Sequence, residues 1–377
     1  MKKRALTLLL ALVMCLSLLS IPYADSPPVT ENLTLTKQSD IIDAAEDLFG
    51  QSNFGGLYYD EDVLVINIVD SAETSQVSLA ANQIDNLSAN VRYNVVKYSL
   101  YSLEAVKDYL TPFMRTYDIA ILDANELTNQ VDICLRTYDE DSISAIRELV
   151  LAEYDTDAFI HFAPYRSGSI ESTVGTVDDP GYFNARNSDT DSAARSVHYP
   201  AGSQIIINDG LYTLGPTLSN SRTYTAGHGY TGSATVYLRG FGTPNLSIGS
   251  VTSHYGGSTG DWGSTTVSGS PAVSKATPVL GNRIYMWGGI SGVTSGSITR
   301  TNITIAEGVS APFAPLTGMC EGSYSCAKGD SGAGLFSVSP ENISTGTVTY
   351  GIQSMALFDS NGTWAGASYF TPITKVY

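Results

Sequence analysis

The sequence predicts an α+β region followed by an all-β region, and three observations carry that expectation. Glycine is unevenly spread: 6 of the 35 lie before residue 200 and 29 after it. Charge runs the other way. The net charge is −17, yet residues 25–191 hold 30 acidic and 9 basic side chains, whereas residues 192–377 hold 7 and 8. Hydrophobic periodicity differs too, with helix-period and alternating stretches in the first half and short β-rich runs between glycine-rich turns in the second. Such asymmetry implies two differently built domains.

Taken in order, Met1-Lys2-Lys3-Arg4, an apolar run to Leu19 and Pro22-Tyr23-Ala24 have the form of a secretory signal over residues 1–24. The run is too short to span a bilayer comfortably, so a soluble product outside the cytoplasm is expected, and Cys15 leaves with the signal. Residues 25–166 form the acidic α+β part. A hairpin is predicted over 54–69 with Asp60-Glu61-Asp62 at its turn. A helix is predicted over 102–110, with Ser102 placed to cap it. Residues 129–135 alternate like a strand that buries Cys134, and 142–152 are helical again. Residues 167–197, rich in Ser, Gly, Asp, Asn and Thr, read as a linker, and a processing cut is expected there or just beyond it. The last domain, residues 198–377, carries predicted strands at 203–208, 234–238, 297–305 and 347–356, a pattern that indicates barrels.

Chemistry concentrates near the C-terminus. Gly329-Asp330-Ser331-Gly332 is a tight turn whose small residues let a substrate approach one hydroxyl. A serine needs an adjacent base, and the four histidines, His161, His198, His228 and His254, all precede it. That excludes the α/β-hydrolase order and the Gly-Asp-Ser lipases, both of which need a later histidine. The order acid, histidine, serine is allowed by Asp209 and His228 but has no supporting motif. The order histidine, acid, serine is allowed by His228 in Thr225-Ala226-Gly227-His228. Between His228 and Ser331 the acidic residues are Asp261, Glu307, Glu321 and Asp330. Asp330 adjoins the serine and would point away, which leaves Asp261 as the free aspartate. His161, His198 and His254 read as surface or structural residues.

These motifs, their spacing, and the segments Gly288-Gly289-Ile290-Ser291-Gly292-Val293-Thr294-Ser295-Gly296, Tyr350-Gly351-Ile352-Gln353-Ser354 and Tyr369-Phe370-Thr371-Pro372-Ile373-Thr374 resemble the chymotrypsin-fold serine proteases, in the streptogrisin/α-lytic branch. The resemblance implies an all-β double six-stranded barrel over 198–377, preceded by an α+β pro-domain; the Gly55-Gly56 hairpin and the helix after it resemble that branch's pro-region. It implies a secreted serine endopeptidase made as a zymogen. Ser331 would be the nucleophile, His228 the base, Asp261 its orienting acid, and the N–H groups of Gly329 and Ser331 the oxyanion hole. Ser325, Gln353, Ser354 and Tyr369 would bind substrate, with Ser354 pairing its backbone. The pocket walls hold no carboxylate, which disfavours a basic residue before the cut.

Two departures stand out. Gly229 replaces the cysteine that often follows the histidine, and the usual cation beside Asp330 is missing, which leaves Arg283, Arg300 or a freed N-terminal amine as candidates. Cys320 and Cys326 could pair as a disulfide in an oxidising compartment. No metal site and no cofactor are expected, since four scattered cysteines cannot build a zinc site. The expected partners are polypeptide substrates and the chain's own propeptide as folding assistant and inhibitor. A monomer is expected, with no nucleic acid and, after signal removal, no membrane. The alternatives are an inactive secreted binding domain on the same fold and a secreted esterase.

Overall fold

The computed structural model describes residues 35–70, 78, 81, 82, 84, 90–176, 199–219, 221–239, 246–306, 315–339, 342, 343 and 346–376. The expected signal at 1–24, residues 177–197 of the expected linker, and His198 lie outside the described residues. None of the described helices is long and apolar enough to cross a membrane.

The N-terminal region is built from two helix-on-sheet layers. In the first, Ile41, Ala45 and Phe49 of the helix Leu35–Phe49 pack on Leu57, Leu64, Ile66 and Ile68. Those residues belong to the antiparallel pair Phe54–Asp60 and Val63–Val69, whose second strand runs parallel to Val91–Val96. The hairpin turns at Glu61 and Asp62, as its acidic cluster predicts. In the second layer, the helices Leu100–Leu110 and Glu140–Tyr154 bury Leu103, Val106, Leu110, Ile143, Ile146 and Val150. They cover the strands Ile119–Asn125, Gln130–Leu135 and Ile160–Pro164. Burying one apolar stripe per helix at i, i+3 and i+4 is what holds such layers together.

The first of these helices starts two residues before the sequence-predicted position. Its N-cap is Ser99, whose hydroxyl accepts the Ser102 N–H at 3.1 Å, while Ser102 sits inside the first turn. Two serines three residues apart present the same capping chemistry, and Leu100 is apolar enough to join the helix. The second helix is capped by Asp139, which accepts the Ser142 N–H at 2.8 Å.

The C-terminal region is strand-rich and its described helical turns are only short 3-10 segments. One group of strands, Gln204–Ile207, Gly210–Thr213, Thr223–Thr225, Ser233–Leu238, Leu246–Tyr255 and Asp261–Thr265, surrounds a core of Ile205, Ile207, Tyr212, Val236 and Val251. A second group runs Arg283–Gly288, Gly292–Ile305, Leu316–Gly322, Trp364–Pro372, Val348–Phe358 and Gly334–Phe336, each antiparallel to the next. The last of these pairs back to the first. Its core holds Ile284, Met286, Ile298, Leu335, Phe358 and Phe370.

The regions are joined by β-pairing. Leu122 and Ile121 register with Thr304 and Ile305, which continues the N-terminal sheet into the long strand Gly292–Ile305. Around that seam Lys107 Nζ donates to the Asn302 carbonyl at 2.6 Å, and Arg300 faces Asp123 at 3.6 Å.

Part of the expected linker is strand. Residues Ser169–Ser172 lie antiparallel on Val348–Phe358, and Gly175–Thr176 pair with Leu211 and Gly210. Small polar residues signal loops in isolation, but their backbone groups are free to add to a sheet edge when one is offered.

Candidate active site

The junction of the two C-terminal strand groups brings His228, Asp261 and Ser331 together. His228 follows the strand Thr223–Thr225, and Asp261 opens the strand Asp261–Thr265. Thr225 registers with Gly263, so both residues fall at the same end of one strand pair. Ser331 comes from the other group, on the turn between Leu316–Gly322 and Gly334–Phe336.

His228 Nε2 lies 2.8 Å from Ser331 Oγ, and His228 Nδ1 contacts Asp261 Oδ2 in a short hydrogen bond. Asp261 Oδ1 accepts the backbone N–H groups of Gly227 and His228 at 2.8 and 2.9 Å. The Ser354 hydroxyl donates to Oδ2, and the Asp261 N–H is held by Thr371 Oγ1 at 2.8 Å. Burial pulls the Asp261 carboxyl upward, but the His228 charge and the hydrogen bonds from His228, Ser354 and Gly227 outweigh it, leaving the group below the usual carboxylate range. The backbone that carries the imidazole is held as well: the Tyr212 hydroxyl donates to the His228 main-chain carbonyl at 2.8 Å.

Gly329 has φ of +102°, a conformation L side chains rarely adopt, and a Cβ there would sit 2.6 Å from Ile290 Cγ1. The glycine therefore lets the loop turn its amide inward. Asp330 is fully buried and points away from the site, as expected from its place beside the serine. In place of a cation it accepts the N–H groups of Ala327, Ile290 and Ser291. Burial raises its pKa, partly countered by those donors. Arg283 lies over the Tyr285 ring and Arg300 faces Asp123.

The cleft is occupied by the chain itself. Thr173 donates its N–H to the Ser354 carbonyl at 3.2 Å, and its own carbonyl receives the N–H groups of Gly329 and Ser331, the latter at 3.3 Å. Its hydroxyl lies 2.9 Å from Ser331 Oγ and donates to the Ser354 carbonyl at 3.0 Å. Nothing in the side-chain pattern of residues 167–176 signals this; the contacts are mostly backbone.

Of the residues expected to bind substrate, Ser354 pairs with Thr173 through its carbonyl, and its side chain has the further role at Asp261 that sequence reasoning missed. Gln353 is fully buried, with Nε2 on the Met355 carbonyl at 2.9 Å and Cys326 Sγ at 3.4 Å, and Oε1 accepting the Tyr324 hydroxyl. Tyr369 is buried in the apolar cluster that also takes Ile170. Ser325 is exposed, with its carbonyl held by Thr294 Oγ1 at 2.7 Å.

The expected disulfide is absent: Cys320 and Cys326 are free, buried thiols. Cys320 registers with Phe370 inside a strand, whereas Cys326 Sγ is engaged by Ser368 Oγ at 3.3 Å and by Gln353. Close spacing in sequence does not aim two side chains at each other. Neither of the other described histidines joins the relay: His254 stacks on Trp262 at 3.9 Å and His161 pairs with Asp132 at 2.9 Å. Among the described residues no three His, Cys, Asp or Glu side chains gather closely enough to hold a metal ion.

No protein-family model and no curated protein sequence matches the chain. The solved structures similar to about half of it include proteases. Thermobifida fusca protease A is 22% identical, covering 47% of this chain and 92% of its own, with a TM-score of 0.34. A glutamic acid-specific serine protease is 23% identical, with coverage of 47% and 94% and a TM-score of 0.35. A Nocardiopsis protease is 18% identical, with coverage of 47% and 93% and a TM-score of 0.35.

Proposed function

We propose that this chain is a secreted serine endopeptidase with a double six-stranded barrel as its catalytic domain, made as a zymogen. Residues 25–166 would be its pro-domain and 1–24 its signal. The single observation that supports the reading best is the relay at one point: His228 Nε2 is 2.8 Å from Ser331 Oγ while Nδ1 engages a buried carboxylate. Ser331 attacks a peptide carbonyl. His228 takes its proton and returns it to the leaving amine, and Asp261 holds the tautomer and stabilises the imidazolium. The N–H groups of Gly329 and Ser331 stabilise the oxyanion, each worth about 3 kcal/mol by the measured loss of such donors elsewhere.

A pro-domain reading has its own support. The N-terminal region adds strands to the C-terminal one and is followed by a segment lying across Ser331, a position from which it would block substrate. The enzyme needs no cofactor in this scheme. The test separates this reading from an esterase and from an inactive binding domain. A fluorophosphonate that labels Ser331, together with casein cleavage by the labelled species' untreated counterpart, is the expected result. Absence of the adduct on Ser331 in the processed protein would falsify the enzyme assignment, and ester turnover without peptide cleavage would favour the esterase.

A further inference from the structure

We infer that the peptide bond between Thr173 and Val174 is the chain's own processing site, cut by Ser331 of the same molecule. The inference rests on the endopeptidase assignment of Ser331, His228 and Asp261, and adds the bond and the side chains accepted around it. Both flanks of this bond are pinned by backbone pairing. On one side Ser169, Ile170, Glu171 and Ser172 register with Phe358, Leu357, Ala356 and Met355. On the other, Gly175 and Thr176 register with Leu211 and Gly210. Between them one carbonyl, that of Thr173, receives the amides of both Gly329 and Ser331.

The register singles out that bond. The preceding carbonyl, on Ser172, is instead taken by Lys328 Nζ at 2.8 Å. Slipping a strand by one residue turns each group to the opposite face, so a neighbouring bond cannot reach the two amides while the flanking pairs persist. Gly175 allows the approach: a Cβ there would stand 3.0 Å from the Gly329 nitrogen and 3.1 Å from its Cα.

The reaction balances within the chain. Ser331 Oγ bonds to the Thr173 carbonyl carbon as its proton passes to His228. The bond to the Val174 nitrogen breaks, and His228 protonates that nitrogen, which leaves as a free amine. Water then gives its proton to His228 and its oxygen to the Thr173 carbonyl carbon. The ester bond to Ser331 breaks, the serine regains its proton, and Thr173 ends as a carboxylate.

The same contacts define a substrate class. Thr173 is fully buried with its hydroxyl on Ser331 Oγ and the Ser354 carbonyl, so the bound arrangement accepts a small hydroxylated residue before the cut. Ile170 is buried in an apolar cluster with Met355, Leu357 and Tyr369, which asks for an apolar residue three positions earlier. Glu171 pairs with Lys328 at 2.8 Å on a half-exposed surface, a weaker preference for acid. Val174 packs against the core of Ile205, Tyr212 and Val236. The substrate is an extended peptide that adds as a strand on both sides of the cut.

The test follows the full chain in time after purification, with both new termini read by mass spectrometry and Ser331 probed by a fluorophosphonate. The first cut should leave Thr173 and Val174 as termini, at a rate independent of protein concentration, and Ser331→Ala should stay intact. Thr173→Trp should slow that cut ~100-fold by displacing the carbonyl from the amides. Because that variant could fold poorly, a synthetic peptide of residues 168–179 is offered to the processed wild-type enzyme, which should cut it at the same bond and spare the tryptophan version. A labelled, active Ser331 with its first cut elsewhere overturns the inference and leaves the endopeptidase standing. A Ser331 that never labels removes both.

Discussion

Ser354 donates its hydroxyl to the same Asp261 oxygen that engages His228 Nδ1. The carboxylate is fully buried and has its two oxygens satisfied by four donors, so each donor both orients it and favours its charged form. Ser354 acts through Asp261 and is a positioning residue by its side chain, while its carbonyl pairs with Thr173. Ser354→Ala should lower kcat by roughly tenfold, since one charge-assisted hydrogen bond is worth about 1.5–3 kcal/mol and part of it is recovered by water. The Asp261 pKa should rise, moving the acidic limb of the pH–rate profile to higher pH. An unchanged pH profile would mean the serine only fills space.

Gly329→Ala tests the loop that turns the amide inward. The substitution meets a left-handed φ of +102° and Ile290 Cγ1 at 2.6 Å. The amide should rotate away from the carbonyl it serves, and kcat should fall by about 10²–10³-fold, the loss seen when such a donor is removed. Retained activity with a normal kcat would place the oxyanion donors elsewhere.

The thiols make a chemical prediction. Burial pushes Cys320 up to about 12 and Cys326 higher still, so neither is a reactive thiolate near neutrality. Both, with Cys134, should titrate with a thiol reagent only after denaturation, and a reductant should leave Tm unchanged. A fall in Tm on reduction would reveal a bridge.

How far the sequence carries the reader depends on which atoms do the work. Ser331, His228 and Asp261 are readable because the chemistry needs particular side chains in a permitted order, and the chain offers few candidates. Strands 204–207, 233–238, 292–305 and 348–358 are readable from β-branched runs bounded by glycine. Thr173 is not, because its carbonyl and N–H make the decisive contacts and every residue has those. The Ser354 hydroxyl role is hidden for a related reason: alternation along a strand says which face a side chain takes, but the partner on that face comes from a distant segment. The Cys320–Cys326 expectation failed on direction, and the Ser102 cap failed because Ser99 offers the same oxygen one turn earlier.

The seam between the regions should make stability depend on pH. Glu126 is buried, with Oε1 held by Thr301 Oγ1 at 2.7 Å and Oε2 lacking a hydrogen-bond partner. Burial pushes it up from 4.5 to about 7, with Thr301 opposing, Glu104 adding to the rise and Lys107 opposing it. Asp123 nearby is raised by burial, opposed by Arg300, and neither of its oxygens has a hydrogen-bond partner. A folded carboxyl that keeps its proton longer than the unfolded one loses stability as pH rises. For Glu126 the full contribution is present below about 4.5 and is lost progressively as pH climbs to about 7, a difference of roughly 3 kcal/mol. In the uncleaved Ser331→Ala chain, unfolding free energy measured by denaturant should therefore fall across that window. Glu126→Gln should flatten much of the slope while keeping the Thr301 contact, the remainder belonging to the other burial-raised carboxyls, Asp123 and Asp330. If the glutamine variant keeps the wild-type slope, the carboxyl at this seam is already ionised and burial has not raised it.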